Sequence, residues 1–304
     1  MIVLNSLFPI FTLLVLGRVL KLRGLTDEGF LRSADKLIYF FFFPVMLFWK
    51  IGGASFDNGI DWTFCAACLT TMLIMFFLSS VVIKLFGISN FKAGSFSQSC
   101  YRFNTYIGVA VILNSLGIEG LKYFGIVIGF TIPVVNLFAV SMMIWFSEQN
   151  IELSKRVVIT LKAIFSNPLI LACLAGVSYG YVGGSFPVFI DNSFSLISMV
   201  ALPLALLSIG GSLTFAGVKE HLGLSLLAAL LKLCILPLLG YLLFTLLGVA
   251  DLPAKVGMIF FALPASTAIY VLSSQMHSDT NLASSAIVIS TVLSVIPLSI
   301  VLLM

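Results

Sequence analysis

Two short stretches carry the residue types that could do chemistry. The first is Ser99-Cys100-Tyr101-Arg102-Phe103-Asn104-Thr105-Tyr106-Ile107-Gly108, inside a segment that is otherwise apolar. The second is Ala262-Leu263-Pro264-Ala265-Ser266-Thr267, again inside an apolar segment. Arg102 and Asn104 offer N–H donors suited to an anion, and Thr105, Tyr106, Ser266 and Thr267 offer hydroxyls. Pro264 lacks an N–H and clashes with the preceding turn, so it breaks a helix, and Ser266 and Thr267 stand where a new half-helix would start. A broken helix presents unsatisfied N–H groups and a partial positive charge at its new N-terminus, which favours an anion. The chemistry is therefore binding, with Ala265 between the proline and the hydroxyls.

The surroundings of these stretches are a membrane. Of 304 residues, 60% are hydrophobic and 9% are charged, against roughly 25% charged in a soluble domain; the mean hydropathy is +1.17. The chain is a polytopic membrane protein. The net charge of +4 gives no ground for a nucleic-acid partner. Arg18, Lys21 and Arg23 follow the first apolar run instead of preceding it, so that run is expected to stay as a helix and not to be a cleaved signal.

Apolar segments of about 17–25 residues can cross a bilayer. Ten are expected, near 2–20, 35–53, 62–87, 94–117, 121–146, 163–182, 193–215, 222–249, 253–276 and 282–304, with short connections, the longest at 21–34 and 147–162. The odd connections carry Arg18, Lys21, Arg23, Arg32, Lys36, Lys84, Lys92, Lys155, Arg156, Lys162 and Lys219, and the even ones only Lys50, Lys122 and Lys255. Positive residues stay in the cytoplasm, so both termini are expected outside.

Glycines and prolines repeat at half-length. Pro9 and Gly17 match Pro168 and Gly176, and Pro44 matches Pro203, all offset by 159; Gly52-Gly53 matches Gly210-Gly211 at 158; Thr131 matches Thr291, and Asn104 falls opposite Pro264, at 160. Five spans per half make the halves inverted, and inverted-repeat carriers bind near the midplane with helices broken at matching positions. The expected fold is all-α: ten transmembrane helices in two inverted five-helix repeats, with broken crossing helices 4 and 9. The expected organisation is 1–146, a cytoplasmic linker 147–162, and 163–304.

Charged and polar residues inside the spans carry two readings each. Arg102 either faces a substrate anion or snorkels toward the cytoplasmic end of span 4; a charge at mid-bilayer costs about 3 kcal/mol even on the lenient insertion scale. Lys232, among the leucines of span 8, is either an inward partner or a packing lysine that reaches a carbonyl. Asn136 either lines the site or bonds a neighbouring helix, and Gln98 accompanies the cluster of span 4. Cys65-Ala-Ala-Cys68 has the spacing of a redox or metal site but has no nearby histidine or second pair, and reads as packing. All twelve acids and both histidines lie in connections or at span ends. Catalytic and metal-binding residues, and hence an intramembrane enzyme, are not expected, nor is a carboxylate proton relay or a cationic substrate. An anion carrier leads, coupled to potential, sodium or protons; an anion channel or a non-transporting sensor are the alternatives.

Asp35-Lys-Leu-Ile-Tyr-Phe-Phe-Phe-Phe-Pro-Val-Met-Leu-Phe48, Ser166-Asn-Pro-Leu-Ile170 with Gly176, Arg102-Phe-Asn-Thr-Tyr-Ile-Gly108, Ala262-Leu-Pro-Ala-Ser-Thr-Ala268 and the run from Leu282 together resemble the auxin efflux carrier family over nearly the whole chain. The resemblance implies a bacterial permease of the inner membrane for a small organic anion, a mono- or dicarboxylate such as malate. It also implies a scaffold of helices 1, 2, 6 and 7, an elevator-like transport domain of helices 3–5 and 8–10, and dimers paired through the scaffold. The plant carriers put Asn with Pro at both crossings and have a long central loop. This chain has Asn104 without a following proline, Pro264 without an asparagine and a short central loop, so auxin is not implied as the substrate.

Overall fold

A computed structural model describes residues 2–53, 60–146, 168–182, 186–213 and 218–304. The linker expected at 147–162 lies outside the described residues. Among those described, all regular structure is helical. Six stretches are long and apolar enough to cross a membrane: Val3–Leu22, Trp62–Leu85, Asn90–Met143, Val188–Ser212, Leu222–Leu247 and Thr280–Leu303. The chain is a multi-pass, all-α membrane protein.

The helices form two compact units, one of Met1–Trp62, Tyr106–Gly129 and Phe165–Leu213, the other of Thr63–Thr105, Phe130–Ile164 and Thr214–Met304. The first holds α1 (Ile2–Leu22), α2 (Glu28–Leu37), α3 (Phe43–Gly52), α7 (Pro168–Tyr181), α8 (Val188–Ser212) and part of α6 (Thr105–Trp145). Here α1 packs on α8 and α3 on α7. Glycine lets the backbones meet: a methyl on Gly17 would collide with the Leu207 carbonyl, and one on Gly210 with the Leu14 carbonyl. Gly211 faces the Gly17 carbonyl, and Gly176 faces the Gly52 backbone nitrogen in the same manner. Without a hydrophobic drive between helices in lipid, such close approach supplies the packing energy.

The connection expected at 21–34 is shorter than the sequence suggests. Asp27 caps α2, its carboxylate accepting from the Phe30 N–H at 2.7 Å. This helix buries only Leu31 and Ala34, so a search for apolar runs misses it. It continues into α3 through a π-helical turn, Ile38–Phe42. The wider turn accommodates Pro44, which can donate no hydrogen bond.

The second unit holds α4 (Trp62–Leu85), α5 (Asn90–Tyr101), the later part of α6, α9 (Leu222–Leu230), α10 (Leu236–Leu247), α11 (Asp251–Ala262), α12 (Ala268–Gln275), α13 (Thr280–Leu293) and α14 (Val295–Leu303). The run Asn90–Met143 has 54 residues, about 80 Å at 1.5 Å per residue, far beyond the ~30 Å hydrocarbon core. It is interrupted at 102–104, and again at Gly117, whose φ of 65° and ψ of −154° glycine tolerates.

Polar α5 is buried at every residue from Ala93 to Tyr101. Its serine hydroxyls are satisfied inside the protein. Ser99 donates to the Ser95 carbonyl at 2.8 Å, Ser97 and Ser79 share a bond of 2.9 Å, and Ser95 bonds Ser273 at 2.8 Å. Gly94 lets Met143 approach where a side chain would collide. Cys65 and Cys68 are buried on α4.

Candidate functional site

Two helix breaks meet in the second unit. The α5 helix ends at Tyr101 and α6 begins at Thr105; α11 ends at Ala262 and α12 begins at Ala268. Both chains leave their helices with nearly the same backbone: Arg102 at φ −67°, ψ 144°, and Leu263 at φ −62°, ψ 146°. For Leu263 the cause is local, because a residue before proline is pushed out of the α region. No proline follows Arg102.

At the meeting point the Asn104 N–H donates to the Pro264 carbonyl at 2.9 Å. The Phe103 ring stands edge-on to Phe260, centroids 4.3 Å apart. Ala265 N–H donates to Ser290 Oγ at 3.0 Å, and Ser290 donates on to the Ile287 carbonyl at 3.1 Å. Ser266 Oγ accepts from the Ala268 N–H at 3.3 Å, as a helix-start hydroxyl does. Backbone polar groups exposed by a break in lipid need partners within the protein, and these bonds supply them.

Arg102 is half-buried. Its guanidinium donates from Nη1 to Gln98 Oε1 at 2.6 Å and from Nη2 to Asn136 Oδ1 at 2.9 Å. It thereby ties the end of α5 to the later part of α6, a forked geometry only arginine offers. Asn136 is thus bonded to another helical segment, and Gln98 also donates from Nε2 to the Gly94 carbonyl at 3.2 Å.

Lys232 lies in a π-helical turn, Leu231–Ile235, between α9 and α10, and is fully buried. Nζ donates to the Phe261 carbonyl at 3.0 Å. Of its two readings, the carbonyl contact is the one observed. That carbonyl is in the last turn of α11, among the groups a helix leaves unpaired at its negative end.

The break is sealed on one side only. Cys100, Tyr101, Phe261 and Ala262, where the helices end, are buried, as are Asn104, Pro264 and Ala265. Thr105, Ser266, Thr267 and Ala268, where the next helices begin, are half-exposed. Arg102, Asn104, Thr105, Pro264, Ala265, Ser266, Thr267, Gln98, Asn136 and Lys232 all fall in this unit. Tyr106 instead groups with the first unit, its ring edge-on to Phe43 at 4.4 Å.

Ser290 is a site residue that the sequence reading misses, although a serine beside Thr291 in an apolar helix is a signal. Ser273 and Ser278 are missed as well, both bonded to Ser95, at 2.8 and 3.0 Å. Among the described residues no three His, Cys, Asp or Glu side chains are placed to share a metal ion.

A family model described as membrane transport protein matches residues 150–302. The chain is 24% identical over 298 residues to a protein of Methanothermobacter thermautotrophicus described as an uncharacterized transporter, covering 97% of this chain and 95% of that one. With that match over half its length, beside the two broken helices and the apolar spans that hold them, the chain belongs to the membrane transport protein family, that of the auxin efflux carriers, and is a transporter.

Proposed function

We propose that the chain is a secondary carrier for a small organic anion, a mono- or dicarboxylate such as malate, which binds where the two breaks meet. One observation carries this reading. The N-terminal ends of α6 and α12 are accessible at the crossing, whereas the C-terminal ends of α5 and α11 are buried and Lys232 sits on the Phe261 carbonyl. Positive helix ends are open and negative ends closed, which suits an anion and repels a cation.

Alternating access by two inverted five-helix repeats, ten spans in all, is supported by a symmetry in the contacts. Gly17 corresponds to Gly176 at an offset of 159, and the pair Gly52-Gly53 to the pair Gly210-Gly211 at 158. The approach of Gly17 to the Gly210-Gly211 pair thus has its counterpart in the approach of Gly176 to the Gly52-Gly53 pair. The residue pair Asn104 and Pro264, offset by 160, maps onto itself, with the bond running one way only because proline has no N–H to return it. An inverted repeat has this property, with the substrate at its axis.

Spans 1, 2, 6 and 7, which fall in the first compact unit, serve as the scaffold, and spans 3–5 and 8–10 as the transport domain that moves elevator-fashion. The protein resides in a bacterial inner membrane with both termini outside, and scaffolds pair in a homodimer. Coupling is to the membrane potential, sodium or protons. The test is uptake of labelled malate by proteoliposomes under imposed potential, sodium and proton gradients, with trans-loaded malate to read counterflow. Saturable uptake with counterflow supports a carrier, and the effective gradient names the driving force. Uptake that never saturates and shows no counterflow makes it a channel. Absence of flux for every carboxylate tried overturns the anion assignment.

A further inference from the structure

We infer that α2, with the end of α1, forms a binding surface for anionic phospholipid, its phosphate against Arg32 and Lys36 and its acyl chains against Phe30 and Leu37. The inference concerns the first unit alone and does not rest on the carrier reading.

The segment from the end of α1 through α2 mixes exposed apolar and exposed basic residues. Leu22 and Leu25 are 69% and 73% exposed, and Phe30 and Leu37 are 50% and 53% exposed. Arg23, Arg32 and Lys36 are exposed among them. Water is a poor solvent for the first set and hydrocarbon for the second, so the segment suits the boundary between the two. Leu22 also closes the apolar span Val3–Leu22, which brings that boundary to the same level.

The faces of α2 give the surface its shape. Leu31 and Ala34 are buried against the protein. Phe30 and Leu37, two turns apart, share one exposed ridge, and Arg32 and Lys36, one turn apart, share another. Gly29 and Ser33, both exposed, lie between the ridges and leave a shallow trough floored by small side chains. A phospholipid has the matching order, with an anionic phosphate for the basic ridge and hydrocarbon for the apolar one.

The charge of the segment selects an anionic lipid. From Arg18 to Leu37 there are five cations, Arg18, Lys21, Arg23, Arg32 and Lys36, and three acids, Asp27, Glu28 and Asp35. The acids are held by donors of the protein itself. Asp27 accepts from the Phe30 N–H at 2.7 Å, Glu28 from Lys21 at 3.1 Å, and Asp35 from Ser208 Oγ. Arg32 reaches Glu28 only at 3.6 Å, with its side chain 79% exposed. The basic ridge is thus in excess, and an anionic membrane surface attracts it. A second copy of this segment would bring the same positive excess.

The test reads which lipid stands beside α2. Ser33→Cys, in a background with Cys234→Ala, is labelled with bimane; the other four cysteines are buried. The protein is reconstituted in vesicles of equal phosphatidylglycerol and phosphatidylcholine, with bromine near the headgroup end of the chains of one lipid or the other. The expected result is quenching that reports phosphatidylglycerol enriched about fivefold over phosphatidylcholine, the scale of one cation at an anionic surface. The enrichment should vanish in Arg32→Gln/Lys36→Gln, and in wild type at about 0.5 M salt, where exposed charges are screened. Equal quenching by the two lipids in wild type, or an enrichment that survives either the double substitution or the salt, would overturn the inference. Quenching by neither lipid would overturn it too, and would show the face covered by protein, such as a second copy. Should the double variant fail to fold, the salt series on wild type still decides.

Discussion

The Asn104 N–H and the Pro264 carbonyl, 160 residues apart in sequence, are joined by a 2.9 Å hydrogen bond between two interrupted helices. The bond has two consequences. It satisfies backbone groups that lipid could not, and it holds the starts of α6 and α12 at one place. Anything that loosens it should loosen both half-helices together.

Ser290 tests how the break is held. It gives the Ala265 N–H its acceptor at 3.0 Å in a fully buried setting. Ser290→Ala leaves that N–H unsatisfied, at about 1–3 kcal/mol. The expected outcome is a lower melting temperature in detergent, with weaker binding of the transported anion. Cys at the same position, a poorer acceptor, should fall between Ser and Ala.

Arg102 tests the fork. A lysine in its place could keep the charge but could not bond Gln98 and Asn136 at once. Arg102→Lys is expected to reduce transport about tenfold or more, in proportion to the positioning it loses. Asn136→Leu, which removes one acceptor and leaves the other, should have a smaller effect. Equal transport by wild type and Arg102→Lys would show that charge alone matters there.

The glycine contacts of the first unit give a paired stability test. Gly210→Ala puts a methyl against the Leu14 carbonyl, whereas Gly223→Ala in α9 meets nothing within 4 Å. The first should cost about 1–3 kcal/mol and lower the melting temperature by several degrees. The second should be neutral or stabilise slightly, since it only restricts the unfolded chain.

The sequence makes some of this legible and hides the rest for physical reasons. Membrane insertion follows from composition alone. Pro264 marks a break because its chemistry is local, and Ser266 marks the helix start beyond it. The interruption after Arg102 has no proline, and only the polar cluster of a buried, serine-rich helix points there. Glu28–Leu37 escapes because it is amphipathic, although Asp27 is a readable cap. The π-helical turns before Pro44 and Pro237 are not legible, since proline within a helix can be accommodated in several ways. The partner of Lys232 is a backbone carbonyl 29 residues away, and no residue type in the sequence announces a carbonyl.

The most direct test of binding at the crossing is saturable malate uptake by wild type and Asn104→Ala, at equal amounts of folded protein in the same liposomes. Asn104 is buried at the junction, and its side chain can change while its backbone bond to Pro264 remains. Binding at the crossing predicts that uptake in Asn104→Ala falls by about 100-fold, the scale of a misplaced substrate, with the protein still monodisperse. Uptake equal to wild type would contradict it and leave the crossing of the two breaks a purely structural joint.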